Sequence, residues 1–321
     1  MASALSAPHL HSEEAAIEYV EARVWPNGPF CPHCGCTGRI TVVKANAAKR
    51  IRLGLKRCGD CKKQFTVKVG TVFEQSHVPL NLWLQAMALI CASKKGISSN
   101  QLHRTLGVTL KTAWFMSHRI REAMRSGDLA PFGGGGGAVE VDETFIGRKK
   151  GAAVKHGYEH KMKVLSLIDR DTGQKRSVVI DTVTTAEIAE LVRDNVAREA
   201  QLMTDEARHY VKVGREFASH GVVRHMDGEY VRYEEPLITT NTIEGSFSIF
   251  KRGMKGVYQH CGEQHLHRYL AEFDFRYTNR VRTGVDDAQR ADLALTGAVG
   301  KRLTYRTVGG WRANPGGEAR A

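Results

Sequence analysis

The chain has 321 residues, 42% of them hydrophobic, and a formal net charge of +13. This length and composition exclude a disordered protein and allow one large domain with one or two small ones. No run of about 18 apolar residues occurs, and acidic residues stand where a secretory signal has its apolar core, so we expect a cytoplasmic protein with no membrane partner.

The positive charge is concentrated in one third of the chain. Between Cys31 and Arg125 there are 17 Lys and Arg against 3 Asp and Glu, a net +14, so the remainder is close to neutral. A basic region of this kind predicts a surface that binds a polyanion such as DNA. The alternative is a solvated face that only keeps the protein soluble.

The first predicted element is a helix from Ser12 to Trp25, with the sequence SEEAAIEYVEARVW. Ser12 is a favourable N-cap, acidic residues occupy the first turn, and apolar residues recur at helical spacing. Pro26 directly follows this segment and ends the helix.

Two Cys-x-x-Cys pairs follow, in FCPHCG and RCGDCKKQF, and they predict a zinc ribbon. Four thiolates satisfy tetrahedral zinc and leave no open position for a substrate, so the metal has a structural role. His33 and Cys36 are alternative ligands, and unligated buried cysteines are the alternative interpretation. The expected zinc ligands are Cys31, Cys34, Cys58 and Cys61.

Three helices are predicted next, the first from Pro79 to Gly96. Ser98 caps the second helix, Gly107 ends it, and Thr109 starts the third. Two helices joined by a tight glycine turn are typical of a helix-turn-helix, although any three-helix bundle shows part of this pattern. On the third helix we expect DNA contacts from Lys111, Thr112, His118, Arg119 and Arg121.

Five consecutive glycines, Gly133 to Gly137, are not compatible with the interior of a helix or strand, so they predict a linker or flexible loop between two folded bodies. The last forty residues lack periodicity. The sequence therefore divides into an N-terminal helix (1–28), a zinc ribbon (29–70), a helix-turn-helix region (71–130), a glycine linker (131–137), an α/β catalytic domain (138–282) and an irregular tail (283–321).

The segment AVEVDETFIG after the glycines predicts a strand that carries Asp142 in its middle. A hairpin, a helix and a short strand ending at Asp205 follow, which is a mixed α/β order with both aspartates on strands that can lie side by side. We expect Glu140 and Glu143 to face solvent or to play a supporting part. Adjacent strand residues point to opposite faces, so Asp142 and Glu143 are not expected to share one site.

A third acidic position lies in TTNTIEGSFSIFKRGMKG, which predicts a helix with one buried apolar face. Glu244, Lys251 and Lys255 form a polar stripe beside that face, with the first two about 10 Å apart. Asn241 and Glu244 also match a capping box, which explains both residues without catalysis but does not explain Lys251. A few clustered carboxylates are the oxygen ligands that Mg²⁺ or Mn²⁺ requires to act on a phosphodiester.

Together these segments resemble the insertion-sequence transposases that join a zinc ribbon to a DDE domain. The resemblance rests on VEVDETFIG, LMTDEARHY and TTNTIEGSFSIFKRGMKG with the ribbon and helices before them, roughly Trp25 to Arg280. It implies a ribonuclease H-like catalytic fold, dependence on Mg²⁺ or Mn²⁺, cleavage at transposon ends and strand transfer by the freed 3′-hydroxyl.

Carried over to this chain, the resemblance makes Asp142 and Asp205 the first two ligands of the catalytic metal. Glu244 is the favoured third ligand, Asn241 is the alternative, and Lys251 and Lys255 contact DNA. The expected partners are transposon ends and target DNA, with a homo-oligomer assembled on them. The competing hypotheses are a DNA-binding protein whose ribonuclease H-like domain is inactive, and a cellular nuclease of the same fold.

Overall fold

The computed structural model describes residues 4–127, 130–154 and 157–304. The N-terminal part begins with helix α1 (Glu13–Val24) and a small antiparallel sheet of strands β1 (Ile40–Val42), β2 (Lys56–Cys58) and β3 (Gln64–Phe65). Helices α2 (Leu80–Ala92), α3 (Ser99–Leu106) and α4 (Leu110–Met124) follow. Apolar side chains of α1, the sheet and these helices form one continuous core.

The predicted boundaries of α3 and α4 are confirmed. The Ser98 hydroxyl accepts a hydrogen bond from the Gln101 amide at 3.1 Å, and the Thr109 hydroxyl accepts one from the Thr112 amide at 3.2 Å. Gly107 ends α3 with φ at 67°, a left-handed conformation that glycine adopts without strain. These local contacts set the tight turn between the two helices.

The second part is a five-stranded mixed sheet covered by helices. Its elements are β4 (Ala138–Ile146), β5 (Met162–Asp169), β6 (Lys175–Ile180), α5 (Thr185–Asn195), β7 (Gln201–Asp205), α6 (Arg208–Gly214) and β8 (Ser219–Val223). The strand order is β6-β5-β4-β7-β8, and only β5 runs against the other four. This order and these directions are those of a ribonuclease H-like sheet, as expected.

The chain then returns to the sheet and to the N-terminal part. A short hairpin of β9 (Val231–Arg232) and β10 (Ile238–Thr239) precedes α7 (Asn241–Gly253), which continues into a π-helical turn (Met254–Tyr258). Helices α8 (Leu266–Thr278) and α9 (Asp287–Thr296) complete the described chain. Helix α8 packs on β6 and on α4, so one helix contacts both parts of the protein.

The glycine run differs from the predicted flexible linker, because the structure shows it as a docked turn. The Gly133 amide donates to the buried carboxylate of Asp169 at 3.0 Å, and the Gly137 amide donates to the Gly133 carbonyl. A Cβ at Gly133 would lie 2.5 Å from the Cβ of Ala200, and one at Gly137 would lie 2.4 Å from Asp171. At Gly133 and Gly137 the turn lies so close to its neighbours that there is no room for a side chain.

The tail also differs from the prediction, because it contains helix α9. A capping box between Asp286 and Gln289 starts this helix, and its buried residues join the N-terminal core. Asp292 on its exposed side pairs with Arg23 of α1 at 2.8 Å. The helix is short and its only large apolar residues are Leu293 and Leu295, which is why periodicity alone did not reveal it. Residues 305–321 of the predicted tail lie outside the described residues.

Candidate active site and zinc centre

Asp142 and Asp205 lie at the same level of two neighbouring parallel strands. Strands β4 and β7 pair with Ala138 opposite Gln201 and Glu140 opposite Met203, a constant offset of 63 residues that leads to Asp142 and Asp205. The hydrogen bonds of the sheet therefore bring together two residues that are far apart in the sequence.

The pKa values of both aspartates are raised. Burial and the charges of Glu143, Asp205 and Glu244 raise the pKa of Asp142 from 3.8 to about 8. Burial also raises the pKa of Asp205, with Glu143 and Glu206 contributing, although its Oδ1 accepts a hydrogen bond from the Ala207 amide at 3.0 Å. Buried carboxylates that repel one another in this way are what a bound cation would stabilise.

Glu244 completes the acidic group from helix α7. Its Oε1 accepts a hydrogen bond from the Thr240 hydroxyl at 2.8 Å and lies 3.1 Å from Nε2 of His225. The predicted capping box is absent, because Thr240 rather than Asn241 precedes the first helical residue and the Thr240 side chain makes no capping hydrogen bond. Glu244 therefore has no capping role, and its charge acts on Asp142.

Asn241 is the first residue of α7, and its side chain is exposed. Its backbone amide donates to the Thr239 hydroxyl at 3.1 Å. The side-chain contact of Glu244 with His225 and its effect on Asp142 distinguish the two candidates for the third position. We therefore retain Glu244 as the third acid and Asn241 as the alternative to be tested.

Glu140 and Glu143 turn out to support the site rather than to face solvent. Glu140 is fully buried in β4 and pairs with Arg170 at 2.7 Å. Glu143 accepts hydrogen bonds from the Tyr210 hydroxyl at 2.7 Å and from His209 at 3.2 Å, which lower its pKa against the effect of burial. Glu143 is also close enough to raise the pKa of Asp142, so the two neighbours contribute to one electrostatic site.

His209, Tyr210 and His225 were missed by the sequence analysis. They lie in α6 and just after β8, and no spacing in the sequence connects them with the acidic residues. Lys251 was predicted and lies half-buried on α7; burial lowers its pKa, whereas the charge of Asp142 opposes that shift. Lys255 and Lys161 also lie near enough to lower the pKa of Lys251, so cations flank the acidic group.

The acidic residues fit a hard divalent cation by their chemistry, since carboxylate oxygens are the ligands that Mg²⁺ and Mn²⁺ prefer. The carboxylate oxygens of these residues do not form a compact cluster. Among the described residues, three or more potential ligand atoms lie within 4.8 Å of one another only in cysteine-containing groups. The carboxylates of Asp142, Asp205 and Glu244 therefore do not all lie within 4.8 Å of one another.

The predicted zinc ligands do converge. The Sγ atoms of Cys31, Cys34, Cys58 and Cys61 all lie within 4.8 Å of one another. Hydrogen bonds from the backbone of Cys61 and Asp60 lower the pKa of Cys58 to about 6, against the effect of burial. A thiolate at this position is a ready zinc ligand, so the four cysteines support a structural zinc site.

Of the two alternative ligands, only Cys36 approaches the cysteine cluster. Cys36 forms a second group with Cys58 and Asp60. That group offers three ligands and shares Cys58 with the four-cysteine group. His33 belongs to neither group. A complete tetrahedral set is therefore offered only by the two Cys-x-x-Cys pairs among the described residues.

The structure leaves some of the predicted DNA-binding residues of α4 accessible to solvent and buries the others. Lys111 is exposed in the first turn and Thr112 is half-buried. His118, Arg119 and Arg121 are buried. The second half of α4 is covered by the N-terminal core and by α8, so these three side chains have no surface to offer to DNA.

The buried cations of α4 have protein partners instead. Arg119 donates to the carbonyl oxygens of Val72 and Glu74, each at 2.8 Å. Arg121 pairs with Glu272 of α8 at 2.7 Å. The prediction that these two residues contact DNA was wrong, because both guanidinium groups are buried against protein partners. Those partners are distant in the sequence, so the sequence did not indicate them.

Two segments of the chain match known protein families. Residues 135–278, which include all the candidate catalytic acids, match the ISXO2-like transposase domain. Residues 11–64, which include the four zinc-ligand cysteines, match the transposase zinc-ribbon domain. No helix in the described ranges is long and apolar enough to cross a membrane.

The chain is also similar to individual proteins. An uncharacterized protein in transposable element ISH50 of Halobacterium salinarum is 27% identical over 281 residues, which cover 83% of this chain and 90% of that protein. A chain in the cryo-EM structure of the simian T-cell lymphotropic virus intasome in complex with PP2A regulatory subunit B56 gamma aligns with a TM-score of 0.25 and 13% identity. That alignment covers 47% of this chain and 54% of the other.

Proposed function

The chain belongs to the zinc-ribbon-bearing insertion-sequence transposases, and from this we propose that it cuts the ends of its insertion sequence and joins each freed 3′-hydroxyl to target DNA. The observation that supports the proposal is that Asp205 and Glu244 lie near enough to Asp142 for their charges to raise its pKa. Water attacks the phosphodiester at the transposon end and releases a 3′-hydroxyl. That hydroxyl then attacks a target phosphodiester and releases the 3′-hydroxyl of the target strand.

Asp142, Asp205 and Glu244 would hold two Mg²⁺ or Mn²⁺ ions, which supply activation of the attacking oxygen and stabilisation of the leaving oxygen. The protein contributes the placement of the three carboxylates. The sheet register sets Asp142 and Asp205, and hydrogen-bonding contacts with Thr240 and His225 hold Glu244. Lys251 lies on the same polar stripe and would contact a DNA phosphate beside the acids.

The ends of an insertion sequence come in pairs, so we propose that at least two chains assemble on DNA for the complete reaction. The zinc ribbon would serve this assembly through folding and DNA binding, because a four-cysteine zinc site keeps no open coordination position. The basic residues between Cys31 and Arg125 supply the charge for that binding.

The test uses the purified full chain and a labelled duplex that carries the sequence flanking the gene. We expect nicking at the end with Mg²⁺ or Mn²⁺, no nicking with EDTA, and none for Asp142→Asn or Asp205→Asn in the presence of metal. Binding of the same duplex by Asp142→Asn is the control for folding.

A comparison of Glu244→Gln with Asn241→Ala decides the third ligand, with circular dichroism as a check on helix content. We expect loss of nicking for Glu244→Gln and retention for Asn241→Ala. Binding of the duplex by the wild-type chain with no metal-dependent nicking would favour the alternative, a DNA-binding protein with an inactive catalytic domain.

A further inference from the structure

A cleft of about 1010 Å³ separates α3 and the start of α4 from the π-helical turn that follows α7. One wall contains the first turn of α3 together with Arg104, Lys111 and Trp114. The opposite wall contains the π-helical turn from Gly256 to Tyr258 and the two residues that follow it. The cleft is therefore shared by the helix-turn-helix and the transposase domain.

The charged side chains that line the cleft in the described chain are basic. Arg104 and Lys111 line it, and no acidic residue is among its lining residues in the described chain. Arg104 is exposed and forms no ion pair with the described residues. His260 and Gln259 add hydrogen-bonding groups from the opposite wall. A cleft with cations and no carboxylates attracts an anion.

The N-terminal turn of α4 faces this cleft. In a helix-turn-helix, the N-terminal residues of the second helix are the ones that approach DNA. Leu110 and Lys111 at this end are exposed, while the later cations of α4 are buried. The exposed end of α4 and the basic cleft therefore coincide.

The two walls are fixed to each other by buried contacts. Arg121 of α4 pairs with Glu272 of α8, and the Tyr258 hydroxyl of the π-helical turn donates to the same carboxylate. Gly96 approaches Tyr258 so closely that a Cβ there would lie 2.0 Å from its hydroxyl oxygen. Both walls of the cleft are therefore held in place by contacts with one buried acid, Glu272.

The opposite wall leads directly to the catalytic acids. Helix α7 carries Glu244 near its start and Lys251 two turns later, and the π-helical turn carries Lys255 just before the cleft. Fourteen residues separate Glu244 from Tyr258, which corresponds to about 21 Å along a helix. A DNA strand that advances 3.4 Å per nucleotide covers this distance in about six base pairs.

We propose that this cleft binds the sugar-phosphate backbone of the DNA strand that the catalytic acids act on, about six base pairs from the reacting phosphate. Arg104 and Lys111 contact phosphates from one wall, and His260 donates from the other. Lys255 and Lys251 then continue the basic path along α7 to Asp142. The cleft binds DNA by charge and shape, without a requirement for base sequence. This inference rests on the proposed function for the identity of the DNA.

The first test measures the salt dependence of DNA binding in EDTA, where no cleavage occurs. The probe is a fluorescein-labelled duplex of mixed sequence, and the variant is Arg104→Gln with Lys111→Gln. We expect the slope of log affinity against log salt concentration to become smaller by about two, since each phosphate contact contributes about 0.9. Lys212→Gln with Arg215→Gln removes the same charge from two exposed cations outside the cleft, one in α6 and one directly after it, and should leave the slope unchanged.

Equal slopes for the cleft variant and the α6 control would overturn the proposal. A matching thermal unfolding midpoint for the wild type and both double variants confirms that only binding is compared.

The second test locates the bound strand. Hydroxyl-radical footprinting is done on a duplex that carries the sequence flanking the gene, again without Mg²⁺. We expect the cleft variant to lose protection about six base pairs from the terminal base pair, with protection elsewhere retained. Loss of protection at a distant position would overturn the placement beside the acids.

The results separate this inference from the proposed function. A wild-type chain that cuts transposon ends but shows no dependence on the cleft residues retains the function and loses the inference. A chain that binds DNA through the cleft but never nicks it loses the function and retains the cleft as a DNA-binding site.

Discussion

The carboxylate of Glu140 accepts a hydrogen bond from the backbone amide of Ile243, with Oε2 and the nitrogen 2.8 Å apart. Glu140 is in strand β4, two residues before Asp142, and Ile243 is in the first turn of α7, directly before Glu244. A carboxylate at a helix N-terminus also interacts favourably with the helix dipole. One buried side chain thus joins the strand that carries the first acid to the helix that carries the third.

Glu140→Ala should destabilise the protein and displace Glu244. The substitution removes the acceptor of the Ile243 amide and leaves Arg170 without its carboxylate partner, a loss of about 3–5 kcal/mol for a buried pair. The measurement is the free energy of unfolding from urea titration. The control is Glu190→Ala at an exposed position of α5, which should change stability by less than about 0.5 kcal/mol. Equal effects of the two substitutions would contradict this role of Glu140.

Asp142→Asn should stabilise the metal-free protein at high pH. The pKa of Asp142 is about 8 in the folded chain against 3.8 without the fold, so between these values the folded chain retains a proton that the unfolded chain has released. Stability therefore falls as pH rises through this window, and the variant escapes that loss. The thermal unfolding midpoint in EDTA should be equal for both proteins near pH 4 and higher for the variant above pH 8.

Addition of Mg²⁺ should reverse this order, because the cation stabilises the ionised carboxylates of the wild type and the variant has lost one ligand. The expected observation is a rise in the wild-type unfolding midpoint with Mg²⁺ concentration and a smaller rise for Asp142→Asn. If the difference between the unfolding midpoints of the wild type and Asp142→Asn does not vary with pH, the pKa of Asp142 is not raised by the fold.

The sequence allowed prediction of features that depend on neighbouring residues. The caps of α3 and α4 were predicted because Ser98 and Thr109 bond to amides three residues away. The strands that carry Asp142 and Asp205 were predicted from alternation and turn residues, and the parallel pairing of β4 with β7 confirms that they are neighbours.

Features that depend on distant partners could not be predicted. Arg121 is buried because it pairs with Glu272, which lies 151 residues later in the chain. No residue near Arg121 in the sequence indicates this partner. His225 reaches Glu244 from a different element, and the glycine run is docked by a hydrogen bond from the Gly133 amide to Asp169. In each case burial and pairing are set by the tertiary structure, which overrides the local tendency of the residue type.

Cys58→Ser should release zinc, whereas Cys36→Ser should retain it. Cys58 belongs to the tetrahedral set of four thiols, while Cys36 joins only the three-ligand group with Cys58 and Asp60. We expect about one zinc per chain for the wild type and for Cys36→Ser by metal analysis, and far less for Cys58→Ser. Loss of zinc from Cys36→Ser with retention in Cys58→Ser would mean that the ligands are assigned incorrectly.

Arg121→Ala should affect stability far more than DNA affinity measured on the folded protein. Its guanidinium is buried against Glu272, and removal of one partner from a buried ion pair costs about 3–5 kcal/mol. Arg276 also lies 3.0 Å from Glu272 and still pairs with it in the variant. We therefore expect the loss of stability to lie near the lower end of this range. Lys111→Gln is the matched substitution on the same helix, and it should weaken DNA binding with little change in the unfolding midpoint.

An Arg121→Ala variant that is as stable as the wild type would contradict the structural role of this ion pair.

The glycine run offers a matched pair of substitutions. Gly133 has φ at 73°, and an added Cβ would lie 2.5 Å from Ala200 and 2.7 Å from Val139. Gly134 has no such contact within 4 Å and no positive φ. Gly133→Ala should therefore destabilise the protein by more than about 1 kcal/mol, because both the backbone conformation and the close packing oppose a side chain. Gly134→Ala should be neutral or slightly stabilising, since it only reduces the freedom of the unfolded chain. Urea unfolding of the two variants compares them directly. If both alanines are tolerated equally, the run behaves as the flexible linker that its composition predicts, and the docked turn does not contribute to the stability of the sheet.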